Sequence, residues 1–198
     1  MPKRLDGNKI EIQYDPPDVT AYLIDDTALE HSLKPMQSKT YGEYCNNELN
    51  RKILKKALYA SRVDIVFDVY VKETRKRQTR ISRGKKGSVR IAISKDTPIF
   101  KKTEQVMSVG ENKTELFSLI ADSVKDNFNN DNCTVVVTKN ESVVSNKEID
   151  TSRITPCLKE EADDRMFLHV FELSKLGHKK VTVATVDTAV VALALYAL

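Results

Sequence analysis

Three runs rich in β-branched residues each end directly in an aspartate, and this repeated pattern constrains the fold of the 198-residue chain more than any other feature. The runs are residues 19–24 before Asp25, residues 63–67 before Asp68, and residues 181–186 before Asp187. Largely apolar runs of this length are typical of strands buried on both faces, as in a parallel sheet. A fourth run, residues 133–137, lacks the terminal aspartate, and the turn at 139–141 predicts a short hairpin.

Amphipathic stretches separate the predicted strands. The spacing of apolar residues predicts helices over 41–60 and 113–128, the second with Asn112 as N-cap. Thr155-Pro156 predicts the start of a further helix that ends at Leu176, and Gly177 stands where a C-terminal cap belongs. This alternation predicts an α/β fold with a mostly parallel central sheet and helices on both faces.

The chain length indicates one domain. We expect an N-terminal extension over residues 1–18 and the α/β domain over 19–198, with a basic, arch-like insertion at about 72–104. The final apolar stretch from Ala189 has no cap before Leu198, so we expect a domain that is incomplete at its C-terminus.

The three strand-end aspartates are candidates for a metal site. Ligands of open parallel sheets bind at the carboxyl ends of the strands, and these ends share one edge. Carboxylates that lie close together repel one another unless a cation neutralises them, and Mg²⁺ prefers such oxygen ligands. The alternative is structural, because aspartate after a strand commonly forms a turn or caps a helix. A second acidic cluster, residues 160–164, raises the same alternative at a helix start.

A strongly basic segment follows Asp68. Nine basic residues and one acid lie between Lys72 and Arg90, so this segment carries +8 and the remainder of the chain carries −4 of the overall +4. Segments of this kind usually meet phosphate, although a solvated loop or a nuclear-import signal has the same composition. No aromatic residue interleaves with these charges, which favours contacts to a nucleic-acid backbone over base stacking.

Other classes of protein find no support in the sequence. The three cysteines, Cys45, Cys133 and Cys157, lack metal-site spacing and are expected to be reduced and mostly buried. No apolar run reaches the roughly 20 residues of a membrane span, and the N-terminus lacks a secretory pattern. Nucleotide-binding and hydrolase motifs are missing, so we expect no small-molecule cofactor. An intracellular location, in the nucleus or cytoplasm, is the expectation.

The order of these motifs resembles the flap-endonuclease and XPG-like branch of the PIN-like nuclease superfamily. The chain offers a strand-terminal Asp25, then Phe67-Asp68, the basic segment, Glu161-Ala162-Asp163 and finally Asp187. It also resembles uncharacterised animal proteins associated with mobile elements, which carry similar Glu-Ala-Asp-x-Arg patterns. The resemblance spans residues 19–198, and its specificity lies in the order of short motifs.

The resemblance implies a divalent-metal-dependent phosphodiesterase that acts on DNA or RNA with two Mg²⁺ (or Mn²⁺) ions. The implied metal ligands, which would also be the catalytic residues, are Asp25, Asp68, Glu161, Asp163 and Asp187. Asp26 is an alternative to Asp25, and Asp164 is an alternative to Asp163. The basic residues that would contact the nucleic acid are Lys72, Arg75, Lys76, Arg77, Arg80, Arg83, Lys85 and Lys86.

Two departures from the family pattern bear on activity. Ala189 stands where the family has its second aspartate, and the last acid of the family falls beyond Leu198. Truncation and the loss of one acid therefore allow an inactive domain as well as an active one. The alternatives are a non-catalytic nucleic-acid-binding remnant of the same fold and a protein-interaction module.

Overall fold

A computed structural model of the chain describes residues 20–32, 37–70 and 87–197. Within these residues, five strands form one sheet in the order β4-β3-β2-β1-β5. The strands are β1 (Ala21–Asp25), β2 (Arg62–Val66), β3 (Thr134–Lys139), β4 (Ser142–Ser145) and β5 (Val181–Ala184). All neighbouring pairs are parallel except the hairpin of β3 and β4. The predicted α/β class, the mostly parallel sheet and the hairpin are therefore confirmed.

Helices connect the strands. They are α1 (Asp26–Ser32), α2 (Tyr41–Glu43), a π-helix (Tyr44–Leu49), α3 (Asn50–Ala57), α4 (Thr103–Met107), α5 (Gly110–Asn127), α6 (Ala162–Lys175) and α7 (Thr188–Ala197). The helix predicted over residues 41–60 thus exists, with a π-helical stretch between two α-helical ones. The final apolar stretch is helical.

Side chains that alternate along the strands build a core on each face of the sheet. On one face, Phe67 of the loop after β2 stacks on Phe117 of α5, with ring centroids 4.0 Å apart. On the other face, Leu23 and Val66 pack with Ala162 and Met166 of α6 and Val190 of α7. Period-two alternation in two buried strands therefore explains why both faces are covered by helices.

Helix α5 starts earlier than predicted. It begins at Gly110, and Asn112 is a fully buried residue inside the first turn rather than the N-cap. The Asn112 amide donates to the carbonyls of Val89 and Val106 at 2.7 and 2.8 Å, and its oxygen accepts from the Ile91 N–H at 3.1 Å. The side chain is used to hold the preceding segment, so the predicted capping role was wrong.

Helix α6 starts later than predicted, at Ala162 instead of Thr155. Glu161 is the N-cap residue and is extended. The residues on either side of it, Glu160 and Ala162, bond to the chain that leaves β2. The predicted C-terminal cap is confirmed. Gly177 has a φ of +88° and donates to the Ser174 carbonyl at 3.0 Å, a conformation that favours glycine.

The residues at 87–102 pack against the domain. The Gly42 N–H donates to the Lys95 carbonyl at 2.9 Å, and a Cβ atom at Gly42 would lie 2.7 Å from that oxygen, so the contact requires glycine. Arg90 forms an ion pair with Glu115 of α5, with Nη1 and Oε2 3.0 Å apart. This part of the predicted insertion therefore belongs to the body of the domain. Residues 72–86 lie outside the described residues.

Candidate functional site

The strand order creates a switch point at β1. The chain runs from β1 to its neighbour β2 on one side, continues through β3 and β4, and returns through α6 to place β5 on the other side of β1. Ligands of open α/β sheets bind at the carboxyl edge beside such a point. Asp25 is the last residue of β1, and Asp68 and Asp187 come two and three residues after the ends of β2 and β5 at this edge.

Two of these aspartates cap the helix that follows their strand. Asp25 is buried, and its Oδ1 accepts hydrogen bonds from the Thr27 hydroxyl at 2.7 Å and the Ala28 N–H at 2.6 Å, at the start of α1. Its second oxygen accepts a hydrogen bond from the hydroxyl of Thr185, which joins the ends of β1 and β5. Asp187 accepts from the Ala189 N–H at 2.7 Å at the start of α7. The helix-capping role, which was the alternative to metal binding in the sequence analysis, is therefore present at both residues.

The third aspartate caps a helix distant in sequence. The Ala162 N–H, at the start of α6, donates to Oδ1 of Asp68 at 2.7 Å. The Val69 N–H donates to the Glu160 carbonyl at 2.8 Å, and Nη1 of Arg165 donates to the Phe67 carbonyl at 3.2 Å. Three consecutive residues after β2 are thus each bonded to the start of α6, which brings the second acidic cluster to the edge that carries Asp68.

Four of the five predicted acids act on the fifth, Asp163. Partial burial, followed by the negative charges of Asp187, Asp68, Glu161 and Asp25, raises the pKa of Asp163 above its usual value. Carboxylates from separate parts of the chain therefore act on this one side chain at the carboxyl edge. The like-charge repulsion expected of such a cluster is the physical cause.

The geometry separates the alternative residues. Asp164 is exposed and lies 3.6 Å from the Lys159 ammonium group, Oδ2 to Nζ, whereas Asp163 is the residue on which the other acids act. Asp25 belongs to the same group, and neighbouring Asp26 is buried at the first position of α1. Ala189 lies in the first turn of α7, where its backbone N–H meets Asp187.

The residues predicted to contact nucleic acid lie outside the part of the chain that the structure describes, from Lys72 to Lys86. The described residues that flank this segment are Tyr70 and Gly87. The basic residues therefore follow the acidic edge directly in sequence.

Arg165 is a site residue that the sequence reasoning missed. Arg165 is 1% exposed, and its Nη1 donates to the Phe67 carbonyl beside Asp68. Burial lowers the pKa of this arginine, and its interactions with the Cys157 side chain and with Asp68 oppose that shift. An arginine on the buried face of a helix that also carries Met166 and His169 was the available signal.

A buried charged group beneath α6 was also missed. Nδ1 of His169 lies 2.6 Å from Oδ2 of Asp64, and Arg62 Nη2 lies 3.3 Å from the same oxygen. Burial raises the pKa of Asp64, but the hydrogen bonds and charges of His169 and Arg62 outweigh it and hold that pKa below its usual range. The signal was an aspartate inside a buried strand, which requires a partner.

The donor chemistry of the acidic cluster fits a hard divalent cation, because every member supplies carboxylate oxygens. Glu161 and Asp163 are partly exposed and Asp187 is exposed, so solvent reaches all three side chains. As they stand, no three acidic, histidine or cysteine side chains within residues 20–32, 37–70 and 87–197 are arranged to hold a metal ion.

The remaining sequence expectations concern cysteines and membranes. Cys45, Cys133 and Cys157 are unpaired and buried, as predicted. Among the described residues, no helix has the length and apolar character that would let it cross a bilayer.

Comparison with known proteins adds no further information. No protein-family model matches the chain, and neither a curated protein nor a solved structure matches it. Function must therefore be argued from the motifs and from the geometry of the carboxyl edge.

Proposed function

We propose that the chain is a divalent-metal-dependent phosphodiesterase domain, a nuclease that acts on DNA or RNA. One observation carries the proposal: acids from β1, the β2 end, the α6 start and the β5 end lie close enough to raise the pKa of Asp163 together. Carboxylates that repel one another at a switch point are stabilised when cations bind between them, and this edge is where ligands of such sheets bind. The order of motifs supports placing the fold in the flap-endonuclease-like branch of the PIN-like superfamily.

The roles of the residues follow from their environment. Asp25 and Asp68 are held by backbone and hydroxyl donors, so they would form the fixed side of the site. Glu161, Asp163 and Asp187 are more exposed and would complete the coordination. Bound Mg²⁺ or Mn²⁺ supplies an activated water and stabilises the leaving oxygen of a phosphodiester.

The basic segment supports a polyanionic substrate. Between Lys72 and Lys86 the sequence has eight basic residues and one acid. The net positive charge attracts a phosphate backbone, which the acidic edge alone would repel. In sequence, this segment begins four residues after Asp68.

A non-catalytic nucleic-acid binder is the second candidate. Asp25, Asp68 and Asp187 each cap a helix start, so the fold itself gives a reason for their presence. Ala189 also supplies no carboxylate where the resembling family has one. This candidate predicts salt-dependent binding through the basic segment without cleavage under any metal.

Cleavage assays with matched variants separate the two candidates. Single-stranded and branched DNA and RNA are incubated with the protein in Mg²⁺ or Mn²⁺. Asp163→Asn and Glu161→Gln should abolish cleavage, whereas Asp126→Asn, an exposed aspartate near the end of α5, should leave it unchanged. Cleavage that survives in both site variants would remove the proposed site. Binding without cleavage by the unaltered protein would favour the second candidate.

A further inference from the structure

The outer face of α6 carries two large apolar side chains that solvent reaches. Phe171 is 57% exposed and Leu168 is 38% exposed, whereas Met166, His169 and Leu173 belong to the buried face of the helix. The buried face already attaches α6 to the domain, so the two outer side chains are not needed for that contact. Neighbouring exposed apolar side chains, unlike single ones, are typical of a surface that binds another protein.

One charged residue lies at each end of this apolar pair. Asp164 precedes Leu168 by four positions, Lys175 follows Phe171 by four, and both charged residues are exposed. With 3.6 residues per turn, all four positions fall within a strip about 60° wide along the helix. Their spacing of four, three and four residues is that of the contact line between two helices that pack side by side. We call these four residues the α6 stripe.

The α6 stripe is complementary to itself about a two-fold axis. If two copies of α6 pack antiparallel with the axis between residues 169 and 170, Asp164 lies opposite Lys175 of the second copy. Leu168 then lies opposite Phe171 of the second copy. Both charge pairs of such a dimer are attractive, and the four apolar side chains meet at its centre.

The contacts that the charged residues of the stripe already make are weak. Oδ2 of Asp164 lies 3.6 Å from Nζ of Lys159, with both side chains more than half exposed, and surface pairs of this kind contribute little to stability. Nζ of Lys175 lies 5.1 Å from the centre of the Phe171 ring, so this charge already lies over the stripe. A second copy can therefore bind both charges without disturbing the fold.

A second exposed apolar pair lacks this complementarity. Leu54 of α3 and Leu58, which directly follows that helix, are 42% and 74% exposed. Helix α3 contains four basic residues and no acid, so two copies of this surface would bring like charges together. A two-fold contact between identical chains therefore fits α6 and does not fit α3.

We propose that the α6 stripe is the interface of a homodimer in which two copies of α6 pack antiparallel. A two-fold interface brings the same surface of both chains together, so each residue of the stripe is used twice. None of the five acids of the proposed metal site belongs to the stripe. The inference is therefore independent of the proposed function.

Sedimentation velocity in EDTA over a concentration series tests the interface without metal. The unaltered protein should approach twice the mass of one chain, and Phe171→Glu should stay at the mass of one chain because it places two charges at the apolar centre. Leu58→Glu changes an exposed apolar residue outside the stripe and should dimerise as the unaltered protein does. A single-chain mass for the unaltered protein, a dimer in Phe171→Glu, or loss of the dimer in Leu58→Glu would overturn the proposal.

Charge reversal tests the antiparallel arrangement. Asp164→Lys and Lys175→Asp each place like charges opposite one another in both halves of the dimer, so each should weaken dimerisation about tenfold. In an equal mixture of the two variants every lysine of the mixed dimer faces an aspartate, and its Kd should return to within about threefold of the unaltered value. Unchanged dimerisation of the single variants, or a mixture that dimerises no better than they do, would overturn the proposal.

Discussion

Nδ1 of His169 and Oδ2 of Asp64 lie 2.6 Å apart, and neither residue is more than 1% exposed. Asp64 occupies the middle of β2, and His169 lies on the buried face of α6, 105 positions later. Arg62 completes the group from the same strand. The pair fixes α6 against the sheet along its length, while Asp68 and Arg165 fix its first turn.

Removing the charge of Asp64 should destabilise the protein strongly. Asp64→Asn leaves Arg62 without its buried counter-charge and disturbs the contact with His169, a loss of about 3–5 kcal/mol in the free energy of unfolding. Urea denaturation at pH 7 measures this loss. Asp122→Asn, which breaks a partly exposed pair with Lys139, should cost less than about 1 kcal/mol.

The Asp64 carboxylate also makes the free energy of unfolding depend on pH. The pKa of Asp64 is lower in the folded protein than its ordinary value of 3.8. Its stabilisation is therefore complete above the unfolded pKa and is lost as the pH falls below about 4. The difference in unfolding free energy between the unaltered protein and Asp64→Asn should shrink from pH 7 to pH 3. A difference that stays constant would contradict the pKa direction.

Neutralising Asp163 should stabilise the metal-free protein. The pKa of Asp163 is raised by burial and by neighbouring acids, so its ionisation opposes folding once the pH exceeds the unfolded pKa. Because Asp163 is partly exposed and solvent screens it, Asp163→Asn should raise the free energy of unfolding by only about 0.5 kcal/mol at pH 7 in EDTA. At pH 3 it should leave the free energy of unfolding unchanged. Asp164→Asn, which loses a contact with Lys159 instead, is the matched control and should show no gain.

The Asn112 side chain should be one of the most sensitive polar positions. Asn112→Ala removes its hydrogen bonds to Val89, Val106 and Ile91, at about 1 kcal/mol each. The expected loss in the free energy of unfolding is about 3 kcal/mol by urea denaturation. Thr114→Ala on the same helix removes only a bond back to Gly110 and should cost less than about 1 kcal/mol.

Gly177 should tolerate asparagine better than alanine. Nothing lies within 4 Å of a Cβ atom built at this position, so a substitution meets only the positive φ of +88°. Gly177→Ala should lower the free energy of unfolding, measured by thermal unfolding, by about 1 kcal/mol. Gly177→Asn should cost less, since asparagine adopts this conformation more readily. Equal costs would indicate that the backbone changes conformation.

Local patterns in the sequence predicted the parallel sheet, and Asp25, Asp68 and Asp187 lie at or just after the carboxyl ends of β1, β2 and β5. Whether these residues serve a nuclease stays a prediction. Helix starts were harder to predict. Thr155-Pro156 is a favourable local start, yet the helix begins at Ala162, where Glu160 and Ala162 bond to the β2 end. Local capping propensity has less influence on where a helix begins than such tertiary contacts have.

Pairings between remote residues could not be predicted. Asp64 and His169 each required a buried partner, but the sequence alone does not indicate that they are partners of one another. The same is true of Arg165 and the β2 end, which approach only when α6 packs on the sheet. Periodicity gives the face on which a residue lies, whereas a specific contact depends on how the elements dock.

The pairing of β1 with β5 has a consequence for synthesis. Ala21 aligns with Val181, so one edge of β1 has no partner strand until synthesis has reached β5. An uncovered strand edge is a template for pairing with other chains, and contacts this remote in sequence form slowly. We therefore expect the nascent chain to expose an unpaired edge of β1 until β5 is made.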